Sequence, residues 1–348
     1  MQIHGGDIYQ NDVELDYSAN INPFGMPERV KEEAIRGVYD SIHYPDMRCG
    51  KLTTAIAKKE GVRENFIICG NGAAEVIFQL VRAVGPRKAI LPAPTFGEYE
   101  KALHAVRCEI QHYELKEEQG FQITSKFLEA LTKDVDIVFL CNPNNPTGET
   151  VPSELLRAIV TRCKENQILL VMDECFQDFL SESDGESLRF QCEGNPYLFI
   201  LKAFTKMYGM AGLRLGYGIT SDIELIQKMK NNTQAWNVSI PAQYAGVAAC
   251  EEEEFAAHTR EYIVDCRKYL IQELQCLGLT VYGSKANYIF FRGPKGLYET
   301  MLKRKILIRS CMSYQGLNET YYRIAVKRQE ENEIFISYLK EGLEELYG

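Results

Sequence analysis

No Cys-x-x-Cys pair occurs anywhere in the chain, although it carries 11 cysteines. They are scattered from Cys49 to Cys311, and Cys69 and Cys141 fall inside apolar, strand-like runs. That distribution argues against a disulfide framework or a zinc ribbon and for reduced, buried thiols. No metal site is expected. Long apolar runs are missing too: no stretch approaches the ~20 residues that span a bilayer. The opening MQIHGGDIYQND has neither the charged nor the apolar segment of a secretory leader, so cytoplasmic residence is the expectation. Basic blocks are also absent. With 39 Lys and Arg against 48 Asp and Glu, the net charge is −9, and nothing in the chain can follow a phosphate backbone. Nucleic acid and membrane are therefore poor expectations as partners.

What is present is 348 residues with 45% apolar composition, enough for a substantial core. From about residue 66 to 220, strand-like runs alternate with helix-like ones, the pattern of a mainly parallel sheet covered by helices. Ile137–Cys141 and Ile168–Met172 read as strands buried on both faces. Between them Ser153 is a candidate N-cap, followed by Leu155, Leu156, Ile159, Val160 and Cys163 at helical spacing. The helix Ala74–Val84, the strands Lys88–Leu91, Tyr197–Leu201 and Leu215–Ile219, and a helix opening at Asp222 extend the pattern. After residue 232 come long helices and then the shorter strands Leu279–Tyr282 and Tyr288–Phe291. A last helix carries Ile334, Tyr338, Leu339, Leu343 and Leu346 on one stripe. The expected α/β organisation is an amino-terminal arm with part of the small domain over 1–36, a large domain over 37–232 and the rest of a smaller α+β domain over 233–348.

Lys206 lies in Ala203-Phe-Thr-Lys-Met-Tyr-Gly, after a predicted strand and eight residues before Arg214. An amine that attacks an aldehyde must be partly unprotonated, and burial near another cation lowers its pKa in that direction. Asp173 ends a predicted strand at the edge where open α/β sheets bind ligands. It either caps the next turn or pairs with a cationic ring nitrogen. Asn145, in Asn142-Pro-Asn-Asn-Pro-Thr-Gly148, belongs to a turn or donates its amide to a ligand oxygen. The run Cys69-Gly-Asn-Gly-Ala-Ala-Glu75 joins strand to helix, so its free N–H groups can hold a phosphate.

Taken in order, the glycine loop, Phe96, Asn145-Pro-Thr-Gly, Asp173, Lys206 and Arg214 resemble the class I/II pyridoxal-phosphate aminotransferase superfamily over essentially the whole chain. The resemblance implies the aspartate-aminotransferase-like fold, pyridoxal 5'-phosphate as cofactor and a homodimer with composite sites. It implies that Lys206 holds the cofactor as a Schiff base while Asp173 faces its pyridine nitrogen. Phe96 stacks on the ring, and Phe176 stands where many members carry a tyrosine that bonds the phenolic oxygen. Thr205, Arg214 and the amides of Gly72, Ala73 and Ala74 contact the phosphate, with Tyr44 of His-Tyr-Pro-Asp reaching it across the dimer. Ala74 and Ala203 depart from the pattern, since such enzymes commonly place phosphate-binding hydroxyls there.

Within the superfamily the chain resembles threonine-phosphate decarboxylases first and histidinol-phosphate aminotransferases second. His4-Gly-Gly6 with Asp16-Tyr-Ser-Ala-Asn-Ile-Asn-Pro-Phe-Gly25, Phe176, Trp236-Asn-Val-Ser239, and Lys305-Ile-Leu-Ile-Arg-Ser-Cys311 with Tyr321-Tyr-Arg-Ile-Ala325 carry that preference. Arg309 and Arg323 can present two forks to a carboxylate and a phosphate. By resemblance Arg323 holds the substrate carboxylate, and Arg309 with His4 and Asn20 is the candidate for the substrate phosphate, with Asn145 also near the substrate.

Overall fold

The computed structural model describes residues 5–181, 184–185 and 187–348. After a two-residue strand, β1 (Leu15–Asp16), come the strands of the main sheet: β2 (Ile67–Gly70), β3 (Lys88–Ala93), β4 (Glu109–Glu114), β5 (Ile137–Cys141), β6 (Leu169–Asp173), β7 (Leu198–Ala203) and β8 (Gly216–Ile219). Their spatial order is β2-β8-β7-β6-β5-β3-β4. The pairs from β4 to β7 are parallel, whereas β8 runs antiparallel to both β7 and β2. Every residue of β5 and β6 is buried, as helices on both faces of a parallel sheet require. The α/β fold with its mainly parallel sheet is as the sequence pattern predicts.

Local differences have physical causes. Ser153 is the first residue of the helix Ser153–Asn166 and not its cap, because Pro152 occupies the cap position with extended backbone. Asp222 does cap the helix Ile223–Asn231, its Oδ1 accepting from the Leu225 N–H at 2.9 Å. Strand β4 has no counterpart in the sequence reading: as an edge strand it leaves Glu109, Gln111, His112 and Glu114 exposed, so no apolar run marks it.

The carboxyl-terminal third contributes β9 (Thr280–Val281), β10 (Tyr288–Arg292), β11 (Ile306–Leu307), β12 (Arg309–Ser310) and β13 (Tyr321–Ala325). Four of them form an antiparallel sheet in the order β12-β13-β10-β9. Strand β11 pairs in parallel with β1, which stitches the amino-terminal segment to this part of the molecule. The last helix, Gln329–Tyr347, buries Phe335, Ile336, Leu339 and Leu343, while Ile334 is 46% exposed and Tyr338 39%. Its apolar stripe is therefore rotated from the one expected. Among the described residues no helix is long and apolar enough to cross a membrane, and all 11 cysteines are free thiols, with only Cys276 exposed.

Candidate active site

The carboxyl ends of β5, β6 and β7 open onto one cavity. Ala73, Ala74, Phe96, Asn145, Asp173, Phe176, Thr205, Lys206 and Arg214 all line it, so the structure brings together most of the residues singled out in the sequence. Cys141 and Cys175 line it as well, and nothing in the sequence pattern marked them.

Register positions the acid. Asp173 pairs with Cys141 on one side and Leu201 on the other, at the last position of β6. Its carboxylate is buried, which pushes its pKa up against hydrogen bonds from Cys175 and Tyr99 and the more distant charge of Lys206, all of which lower it. The Cys175 N–H donates to Oδ1 at 2.9 Å, and the Tyr99 hydroxyl donates to Oδ2. Tyr99 is itself fixed by stacking on Phe139 and by an edge contact with Phe96. Sequence reasoning missed Tyr99, although its spacing three residues after Phe96 on a helix start was the available signal. A buried carboxylate without a paired cation gains from an arriving positive charge, which is what a protonated pyridine nitrogen offers.

Lys206 follows β7, is half-buried and lines the same cavity. Burial lowers its pKa to about 8. Arg323 is the next cause and Arg214 a weaker one, opposed by Cys175 and Asp173. The cation expected to matter most from the sequence, Arg214, thus ranks behind one more than a hundred residues further along.

The helix Ala73–Val84 begins at the cavity with no side chain capping it. The Gly72 N–H already donates to the Gly70 carbonyl at 2.8 Å, so the amides left to meet an anion are those of Ala73 and Ala74. The contribution of Gly72 is its missing side chain: at φ +83°, an added Cβ would lie 2.5 Å from Arg214 Nη2. A side chain at Gly72 would push Arg214 aside and also strain a backbone conformation that L residues rarely adopt, so the clean test keeps Gly72 and removes the guanidinium in Arg214→Gln. We expect cofactor affinity to fall by about 10- to 100-fold, the worth of one charge-assisted bond. Titration of the apoprotein with the cofactor measures this, and an unchanged affinity would exclude Arg214 from the phosphate site.

Asn145 is aimed by its carbonyl end. Its Oδ1 accepts from the Tyr314 hydroxyl at 3.2 Å and from Arg323 Nη1, which leaves the amide to donate into the cavity. Phe176 packs edge-on against Tyr288 and brings no hydroxyl to this wall. Arg323 also donates through Nη2 to the Ser18 carbonyl at 2.8 Å, while its buried Nε has no partner among the described residues.

Arg309 faces a separate cavity with Asp7, Ser18, Tyr298 and Ser313, and its Nη2 donates to Ser313 Oγ at 3.3 Å. Asn20 is buried; its carbonyl accepts from Asn287, and its Oδ1 has no partner among the described residues. Tyr44 does not line the cofactor cavity of its own chain: it is 77% exposed and stacks on Trp236 at 4.4 Å. His4 lies outside the described residues. Among those residues no cluster of three or more His, Cys, Asp or Glu is arranged to hold a metal ion.

The donor set has the polarity of pyridoxal phosphate: helix amides, Thr205 and Arg214 for a phosphate, a depressed amine for an aldehyde, and a buried carboxylate for a cationic nitrogen. Comparison with known proteins agrees. The family model for aminotransferase class I and II matches residues 13–339. Threonine-phosphate decarboxylase of Salmonella typhimurium is 38% identical, over 98% of this chain and 96% of its own. Histidinol-phosphate aminotransferase of Methanosphaera stadtmanae is 30% identical, over 95% and 90%. Among solved structures, the histidinol-phosphate aminotransferase from Clostridium acetobutylicum superposes with a TM-score of 0.88 at 29% identity, covering 95% of this chain and 99% of that one. With an amine, an acid and a phosphate cradle on one sheet edge and a family match over nearly its full length, the chain belongs to the class I and II aminotransferases, a pyridoxal-phosphate-dependent family.

Proposed function

We propose that the chain decarboxylates L-threonine O-3-phosphate to (R)-1-aminopropan-2-ol phosphate, a step of cobalamin biosynthesis. One observation carries this reading. Arg309 and Arg323 are directly opposite each other on antiparallel β12 and β13, so both side chains leave the same face of the small sheet. Each is 5% exposed, and neither has a carboxylate partner among the described residues. Two buried like charges side by side are unfavourable on their own, and a ligand with two anionic groups offsets them. Phosphothreonine has both groups on one small molecule. The 38% identity to a threonine-phosphate decarboxylase supports the same choice.

Bound in the cavity, pyridoxal phosphate supplies a carbonyl for the substrate amine and a cationic ring that accepts an electron pair. Arg323 binds the α-carboxylate, and Arg309, in the neighbouring cavity lined by Ser18, whose carbonyl Arg323 bonds, binds the substrate phosphate with Asn20. Together they orient the substrate so that its Cα–carboxylate bond is the one that breaks. Asp173 stabilises positive charge on the ring nitrogen from its buried position. Loss of carbon dioxide would leave the α-carbon one proton short, and Lys206, which a pKa of about 8 keeps mostly protonated at neutral pH, would deliver that proton from its ammonium form. A homodimer belongs to this reading, because Tyr39, Ile42, Tyr44 and Met47 form an exposed apolar surface that a second copy can cover. Tyr44 then reaches the neighbouring subunit's phosphate site.

Arg323→Ala should raise KM for phosphothreonine by roughly 30-fold or more, the loss expected for a buried charge pair, while cofactor affinity changes little. Equal losses of both would contradict the assigned role. The competing reading, histidinol-phosphate amino transfer, draws on relatives at about 30% identity. The loaded enzyme is incubated with phosphothreonine and no keto acid. Release of carbon dioxide with aminopropanol phosphate is the expected result. Glutamate formation from histidinol phosphate and 2-oxoglutarate, without any carbon dioxide from phosphothreonine, would overturn the decarboxylase reading.

A further inference from the structure

Tyr314 contacts Arg309 directly and is linked to Arg323 through Asn145. Its hydroxyl donates to Asn145 Oδ1 at 3.2 Å, the same oxygen that Arg323 Nη1 bonds. The guanidinium of Arg309 lies over its ring, 5.4 Å from the centroid. The residue before it, Ser313, accepts from Arg309 Nη2 at 3.3 Å. The ring is held in turn: it is 7% exposed, packs in a cluster with Phe121, Tyr282, Phe290 and Tyr321, and follows a turn closed by the Tyr314 N–H on the Cys311 carbonyl.

We propose that Tyr314 is a positioning residue that locks Arg309 to the Asn145–Arg323 pair, and so sets the spacing between the substrate's two anion sites and the aim of the Asn145 amide. The chemistry supports two separable duties. The ring face attracts a cation and keeps the Arg309 side chain, which has many rotamers, in one of them. The hydroxyl completes the bonding of Asn145 Oδ1, so that the amide end of this side chain points to the cavity wall from which Phe176 withholds a hydroxyl. The proposal rests on the reading of Arg309 and Arg323 as the anion-binding pair.

Two variants separate the duties, each studied as holoenzyme with pyridoxal phosphate bound. Tyr314→Phe removes the hydroxyl and keeps the ring. It should shift the midpoint of the pH titration of the visible absorbance by about half a unit or more, because one bond to Asn145 is gone. Its affinity for inorganic phosphate, measured by calorimetry with the cofactor's own phosphate site filled, should stay within about twofold of the parent. Tyr314→Leu removes both duties and should weaken inorganic phosphate by about tenfold in addition to moving the absorbance midpoint. An unmoved midpoint in Tyr314→Phe, or unchanged phosphate affinity in Tyr314→Leu, would overturn the proposal, and a purely structural tyrosine would give both while lowering thermal stability. Neither readout needs turnover. Failure of the parent enzyme to decarboxylate phosphothreonine would therefore count against the function and leave the positioning role to be judged by its own data.

Discussion

Lys206→Ala is expected to lower turnover by at least about 10²–10⁴-fold, the range for a positioned acid–base group, and by more if the amine also captures the cofactor. The protein should still bind pyridoxal phosphate without a covalent link, through Arg214 and the amides of Ala73 and Ala74. The contrast with Lys202, four residues earlier on β7, gives the physical reason for assigning the reactive amine to Lys206. Lys202 Nζ lies 3.1 Å from Glu60 Oε1 and 3.3 Å from Asp178 Oδ1, and these carboxylates raise its pKa despite complete burial. Lys206 has no carboxylate within ion-pair distance among the described residues, and burial together with Arg323 brings it down to about 8. With a pKa near 8, roughly a tenth of the amine is neutral at pH 7, against a negligible fraction at the ordinary lysine value. Because the folded-state pKa is lowered, the neutral form grows as pH rises toward 8 and is nearly complete beyond 9. Capture of added cofactor by the apoprotein, followed by absorbance, should accelerate from pH 6 to 8 and then level. A rate independent of pH over that interval would contradict the environment assigned to Lys206.

The second large effect is on stability. Glu60→Ala should cost about 3–5 kcal/mol, because removing one partner of a buried pair strands the other charge. Glu60 is 2% exposed and accepts from Lys202 and from the Tyr217 hydroxyl at 2.5 Å, with Arg189 Nε 3.5 Å away. Asp178 remains to hold Lys202, which sets the loss below that of an isolated buried ammonium. The network matters to the site because it grips the Lys206 segment on both sides: Lys202 precedes it, and the Tyr208 hydroxyl after it accepts from Lys59 Nζ at 2.5 Å. Denaturant melts of the parent and variant measure the difference. A loss under about 1 kcal/mol would mean that the cluster behaves as a surface pair does.

The local elements were legible in the sequence where burial is two-sided. β5 and β6 read as continuous apolar runs, and Lys206, Asp173 and Asn145 could be recognised because each sits beside a strand end. What depends on register could not be read. The sequence separates Arg309 from Arg323 by fourteen positions, and only the β12–β13 pairing makes them neighbours. Tyr99 and Tyr314 look like core aromatics until their hydroxyls are traced to Asp173 and Asn145. The ranking of Arg323 over Arg214 beside Lys206 is likewise a property of packing, since no local pattern encodes which distant cation ends nearest. The last helix shows the limit in miniature: Phe335 and Ile336 carry its buried face, and a stripe drawn through Ile334 and Tyr338 misses by about one position.

The most direct test of the account is to reduce the holoenzyme with borohydride and map the peptide that retains the cofactor. The cofactor should be fixed on Lys206 alone, and Lys206→Ala should retain none after denaturation. Fixation on Lys202 or any other lysine, or no fixation at all in a protein that binds the cofactor and turns over, would contradict the central claim.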